Sequence, residues 1–463
     1  MPQPLPSPST ASTSSPRGLS AQDRARGRKY LYQFALLNAF SVACLMENIL
    51  IVYAIRNGLS DPAVAVLSSF AHLTMPFMIL GKSMAASRGL ARTWSLCWTL
   101  RYFAALLLVG TPFLTAMGAP RFVGVMAILT GGFGLFLFRS MGMIAHTPLI
   151  GENSTEQDQG RAISGMTIRF SVVYLATTVG IVLVLRMHDT IRVLQGILFC
   201  GCVVGFFAAG VLRKIPESEI PRKSARRPIG SSIRQLWQTK RYRRLLASWC
   251  GFVCSIALIP PFALIILKNG YHLSDSSALL FSLLSIIGVS IASWISGNLS
   301  DHTGPRPLLV LFSTGMMLVS LFWAFAPQTL LPLVAGTAFF ISGLCTGGMM
   351  VATSHYFLSS TTAEERVGLG MFFKMTTGLV GGLAGSMLGG GLLWLLHRRG
   401  LDGMSLYHGY FRVITIVMAG AVIATSRLEP LRDRSVKDVL GLLISAREIR
   451  TLFALNKLKH RKH

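Results

Sequence analysis

Long apolar runs alternate along this chain with short polar or basic connectors. A helix needs about 20 apolar residues to cross a bilayer core. Twelve runs meet that length: roughly 31–56, 62–83, 94–117, 122–147, 162–186, 190–212, 243–267, 276–298, 306–326, 329–357, 367–396 and 404–426. The pattern predicts an all-α polytopic membrane protein with twelve transmembrane helices. An even number of crossings puts the tail 1–30, the basic stretch 213–242 and the tail 427–463 on one side. The spans then group as 31–212 and 243–426.

Composition agrees. The chain is 52% hydrophobic and 13% charged, against roughly 25% charged in soluble domains. The net charge of +26 is placed in a telling way. Arg17, Arg24, Arg26, Arg28 and Lys29 precede the first span, and the middle stretch and C-terminal tail are equally basic. Few cations lie on the other side, among them Arg121, Arg398 and Arg399. Such asymmetry puts both termini in the cytoplasm of a cell (inner) membrane protein. It speaks against nucleic acid as the partner of the charge and for anionic lipid at the basic loop and tail. Within the basic stretch, Ser232–Trp237 is expected to lie on the membrane surface, as is a helix carrying Val436, Val439, Leu440, Leu443 and Ile444. Residues 1–28 read as a disordered cytoplasmic tail, not a signal peptide. All seven cysteines fall in predicted spans, which argues for packing and against disulfides or a metal site.

One connector carries a recognisable pattern. Gly297-Asn298-Leu299-Ser300-Asp301-His302-Thr303-Gly304-Pro305-Arg306 resembles the Gly-x-Leu-x-Asp-x-x-Gly-x-Arg cytoplasmic signature of the major facilitator superfamily. The resemblance implies two pseudo-symmetric six-helix bundles that work by alternating access. It also implies that the gating-loop residues Gly297, Asp301, Gly304 and Arg306 act with the start of helix 5, Asp301 facing Gly160 and Arg161. A carboxylate is favoured at a helix N-terminus. Weak internal repeats agree with two halves: Asn57-Gly58-Leu59-Ser60-Asp61 against Asn269-Gly270-Tyr271-His272-Leu273-Ser274-Asp275, Gly81 against Gly297, and Gly165-x-x-x-Arg169 against Gly370-x-x-x-Lys374. The first copy of the signature has lost its acid. Counting from Gly81, Ala85 stands there, and the second glycine falls at Gly89. Lys82, Arg88 and Arg92 read as topology signals.

Ionisable residues inside spans are costly and mark function. Of the eighteen acids, Glu47 in the first span is the one near mid-membrane, which makes it the candidate for proton coupling. Arg139 is its main basic counterpart. Leu135-x-x-x-Arg139 resembles a family pattern associated with proton-coupled members, although the Gln-Gly that follows there is missing and Gly142 comes early. Helical rise separates Glu47 and Arg139 by about 12 Å along the membrane normal, so a substrate or water fits between them better than a direct pair. His72 matches Glu47 better in depth. Arg101, Arg169 and Lys374 are expected at the cytoplasmic ends, where basic side chains snorkel, forming an anion-attracting inner mouth.

No ATP-binding motif, metal-ligand spacing or nucleophile–base set stands out, so neither an enzyme nor a cofactor is expected. The reading is a monomeric secondary-active transporter of a small polar or anionic organic solute, coupled to protons through Glu47. A multidrug/proton antiporter is an alternative, although Tyr174 to Leu185 lacks that group's glycine-rich signature. A non-transporting assembly factor or receptor is another.

Overall fold

The computed structural model describes residues 18–45, 48–155, 157–188, 190–271, 275–329 and 331–431. Helices α1 (Ala21–Leu45) and α2 (Asn48–Arg56) make the first crossing. The second is made by α3 (Asp61–Leu73), a 3-10 turn at Met75–Phe77, and α4 (Met78–Arg88). Then come α5 (Leu90–Val109) with α6 (Thr111–Ala116), and α7 (Arg121–Gly142) with a 3-10 turn at Met143–Ala145 and α8 (His146–Glu152). Helices α9 (Gln159–Met187) and α10 (Ile191–Leu212) complete the first half. Two short helices follow, α11 (Glu219–Arg226) and α12 (Ile229–Gln238). The second half comprises α13 (Lys240–Leu258) with α14 (Pro260–Ile265), α15 (Asp275–Thr303), α16 (Pro305–Ala324), α17 (Pro332–Ser360), α18 (Arg366–Leu383) with α19 (Gly390–Arg398), and α20 (Gly403–Ser426).

Among the described residues, eleven helices are long and apolar enough to span a bilayer. The second crossing falls short of that test because it is broken, not because it is polar. Pro76 cannot donate a backbone hydrogen bond, and Thr74 Oγ1 donates to the Phe70 carbonyl at 2.7 Å. The twelve-crossing pattern is retained.

The expected polar hinge is tighter than the sequence suggests. Residues 297–303 are helical, α16 begins at Pro305, and the turn rests on Gly304 alone, at φ +83°. Glycine adopts that backbone without steric penalty, and proline suits the first position of the next helix. The predicted helix around 436–444 lies outside the described residues.

Within the first half, α1 packs on α9 and α10, and α5 on α7 and α10. In the second, α15 packs on α17, and α16 on both α17 and α20. The α15–α17 contact is close because Gly343 and Gly347 sit against the carbonyls of Ser285 and Val289, where no Cβ would fit; small residues allow such approach in membranes. The halves meet where α9 lies against α15, and where α18 lies against α3, α4 and α8. A buried apolar cluster crosses this seam, joining Leu149 and Ile150 to Leu299, Tyr356, Phe357 and Phe373. The part that crosses the seam lies toward the end that carries α11 and α12, called the basic end below. A second cluster, including Phe262, Trp323, Phe339 and Phe411, belongs to the second half alone.

Candidate functional site

At the basic end the last turn of α15 meets the first turn of α9. Gly160 N–H donates to Asp301 Oδ1 at 2.8 Å and Arg161 N–H to Oδ2 at 3.1 Å. The first N–H groups of a helix lack internal partners and carry its positive dipole end, so an anion there is doubly favoured. Arg161 Nε lies 3.8 Å from Oδ2, and the Asp301 side chain is 1% exposed. From α17, His355 Nδ1 lies 2.9 Å from Ser300 Oγ, and its Nε2 lies 3.8 Å from Asp301 Oδ1. The approach depends on missing side chains: a Cβ on Gly160 would stand 2.6 Å from the Gly297 carbonyl oxygen. Arg306 points elsewhere and donates to the Ser426 carbonyl at 2.9 Å. Beside the clamp lies a recess of about 670 Å³ lined by Ser300, Asp301, His302, His355 and Arg366.

The first repeat closes the same end differently. Gly89 has φ +89°, nearly the value at Gly304, and the carboxylate against it comes from the connector at Glu217. Glu217 Oε2 accepts from Ala91 N–H at 2.8 Å. Burial raises its pKa, against the opposing pull of the Ala91 and Leu90 N–H groups and of Arg222 and Arg92. From there α11 and α12 cross to the second half. Ser224 donates to the Glu364 carbonyl, Arg227 pairs with the Glu364 carboxylate, and Gln235 donates to Glu365. Tyr242 Oη also donates to Glu365, at 2.8 Å. Burial pushes the Glu365 carboxyl up, but the bonds from Tyr242, Gln235 and Thr362 outweigh it and hold the pKa below its ordinary value. Lys82, expected to be a topology signal, is 4% exposed and donates to the Arg227 carbonyl. It is part of this brace. Glu217 was missed because its connector shows no motif; its only sign is an acid within a strongly basic stretch.

Deeper in the seam, His72 Nδ1 lies 3.0 Å from the Gly378 carbonyl oxygen. It therefore faces α18 of the opposite half. Lys374 Nζ donates to the Met143 carbonyl at 3.0 Å. That carbonyl belongs to the 3-10 turn between α7 and α8, where the regular helical bonding is interrupted. Lys374 is within electrostatic reach of Arg139 and of His146. The structure thus brings His72, Arg139 and Lys374 to one seam and adds His146, which lies at the very end of the expected span 122–147 and was not singled out there.

Two expectations for the inner mouth need correction. Arg101 does not snorkel: it is 1% exposed, with its guanidinium 5.4 Å from the Trp98 ring centroid and 5.5 Å from that of Tyr102. Its helix α5 is enclosed by α7 and α10, so the chain has wrapped the cation where lipid cannot reach it. Lys374 is likewise turned into the seam and not toward a helix end. Arg169 is exposed, but its guanidinium stacks 4.0 Å from the Tyr32 centroid. Glu47 lies outside the described residues. Among those described, no cluster of three or more His, Cys, Asp or Glu residues is set to hold a metal.

The fold has well-defined relatives. The E. coli fucose:proton symporter FucP superposes with a TM-score of 0.68 at 12% identity, covering 88% of this chain and all of that one. A bacterial homologue of the iron transporter ferroportin, in an outward-facing state, gives 0.66 at 13% identity, over 87% and 98% of the two chains. The proton:xylose symporter XylE gives 0.66 at 12% identity, over 92% and 100%. At these identities the superpositions show a shared fold and nothing finer. No curated protein sequence matches the chain. The family model for the Major Facilitator Superfamily matches residues 34–386, and the chain belongs to that superfamily.

Proposed function

We propose that this protein is a secondary-active transporter that moves a small organic anion by alternating access, coupled to protons. The observation that carries the reading is the polar seam. Lys374 of one half is bonded to Met143 of the other, within electrostatic reach of Arg139 and His146. A polar bond such as this one can part and re-form, which alternating access requires. Converging cations of both halves suit a solute bearing a carboxylate or phosphate.

The charge asymmetry supports a cell-membrane protein with both termini cytoplasmic, so the basic end is the cytoplasmic gate and is shut here. We assign coupling to Glu47 from its position in the sequence. Desolvation favours its protonated form, and approach of a cation favours the carboxylate. Function as a monomer completes the reading.

Two experiments test it. A thermal-shift screen of the purified protein should find small carboxylates or phosphate esters that raise its stability, because a ligand selective for the folded state does so. Lys374→Gln should abolish that shift; stabilisation by neutral sugars, unaltered in Lys374→Gln, would overturn the anion assignment. In proteoliposomes, Glu47→Gln should lose pH-driven accumulation yet keep substrate exchange. Accumulation that survives the substitution removes Glu47 from the coupling. No saturable uptake of any stabilising ligand would leave a receptor or assembly factor as the better description.

A further inference from the structure

Helix α12 is tied to the membrane plane by chain geometry, because it ends at Gln238 and the seventh crossing starts at Lys240. One face of it is protein-bound. Ser232 and Leu236 are buried, Ser232 sits against Gly368 of α18 in space that a Cβ there would fill, and Gln235 donates to Glu365 at the start of α18. Another face is open. Ile233 and Trp237, one helical turn apart, are 38% and 63% exposed, so they form one apolar stripe.

The charges around that stripe are of one sign. Arg234, Lys240 and Arg243 are exposed, and among the described residues none of them has a carboxylate partner. Their neighbours Arg227 and Arg244 are already paired with Glu364 and Glu429. Tryptophan favours the headgroup level of a bilayer, and cations beside it attract anionic headgroups. The stripe, the three uncompensated cations and the enforced position at the membrane surface all fit the same occupant.

We infer that α12 docks on anionic phospholipid in the leaflet at the basic end and passes that attachment to the start of α18. A lipid that grips α12 keeps Ser232 on Gly368 and Gln235 on Glu365. A leaflet without negative charge leaves the start of α18 freer to move.

The full-length protein in two sets of nanodiscs provides the test, one of phosphatidylcholine alone and one of equal parts phosphatidylcholine and phosphatidylglycerol. Amide hydrogen exchange at residues 366–372 should be slower with phosphatidylglycerol, by roughly fivefold for each cation engaged. The triple variant Arg234→Gln, Lys240→Gln, Arg243→Gln should exchange at one rate in both lipids. If it does not fold, Arg234→Gln alone should lose part of the difference. Brominated phosphatidylglycerol should quench a fluorescence component that disappears in Trp237→Phe. Equal exchange of the native chain in both lipids would overturn the inference, as would full lipid dependence in the charge variants. An unquenched Trp237 would point to a protein partner on this face and overturn it as well.

Discussion

The basic end is closed at two places that occupy equivalent positions in the two repeats, and they are built on different principles. Between α15 and α9 the closure is direct: one buried carboxylate, Asp301, takes two N–H groups from the helix start of the opposite half. Between α4 and α18 the corresponding carboxylate is missing. Counting back from Gly89 reaches Ala86 instead of Ala85, and neither can supply one. Glu217 restores an acid beside the glycine turn, but it satisfies α5 of its own half. The link across the seam passes to α11 and α12 through Ser224, Arg227 and Gln235. A clamp concentrated in one dry contact is strong and depends on a single group. The brace is spread over several bonds and tolerates the loss of any one of them; its ion pair, Arg227 with Glu364, is exposed, and surface pairs contribute about 0–1 kcal/mol.

The contrast can be broken most forcefully at Gly160. Gly160→Val puts branched carbon where the Gly297 carbonyl oxygen is already 2.6 Å from a Cβ, and neither backbone can yield. The closed arrangement should weaken by roughly 3 kcal/mol, more than a hundredfold in the closed-to-open ratio. Spin labels on the ends of α9 and α15 should then report a longer distance; an unchanged distribution would show that the helices do not depend on close approach.

Asp301→Ala removes the acceptor of both N–H groups while leaving the space. Hydrogen bonds to a buried charged group contribute about 2 kcal/mol, so the same labels should shift toward the open state, but less. The comparison fails if Asp301→Ala leaves the population where it was, because the clamp would then be mere apposition.

The smallest effect is expected from the brace, and it carries its own pH signature. Burial raises the Glu217 pKa, so its protonated form is the one favoured in place. Its support is greatest at and below the ordinary glutamate value and falls as pH rises from there through the raised value. Glu365, held low by its donors, acts in the opposite sense: its support is present above the ordinary value and is lost as pH falls through the lowered one. Glu217→Gln should therefore remove the loosening on the alkaline side and spare the acidic side. Hydrogen exchange at residues 90–93, followed against pH in both proteins, reads the difference; identical profiles would remove Glu217 from the brace.

Much of this architecture was legible in the residue pattern, for a reason peculiar to membranes. Lipid offers backbone groups no partners, so a crossing must be a helix, and apolar length alone delimits it. That is why the runs mark nearly every span, and why Pro76 and the turn at Met143–Ala145 change its continuity without hiding it. The carboxylate at Asp301 was also readable, since Gly297 and Gly304 flank it at a characteristic spacing. Lateral position was not. Arg101 looked like a residue near a helix end, yet whether a cation snorkels or is enclosed depends on which helices surround it. Lys374 and His146 become neighbours only because α18 lies against the break in the fourth crossing. Glu217 and α12 act through contacts 126 and 130 residues away in the chain. Apolar length is a one-dimensional property and the sequence carries it whole. Which side chains share a seam is decided by how twelve such lengths pack, and only the tertiary structure contains that.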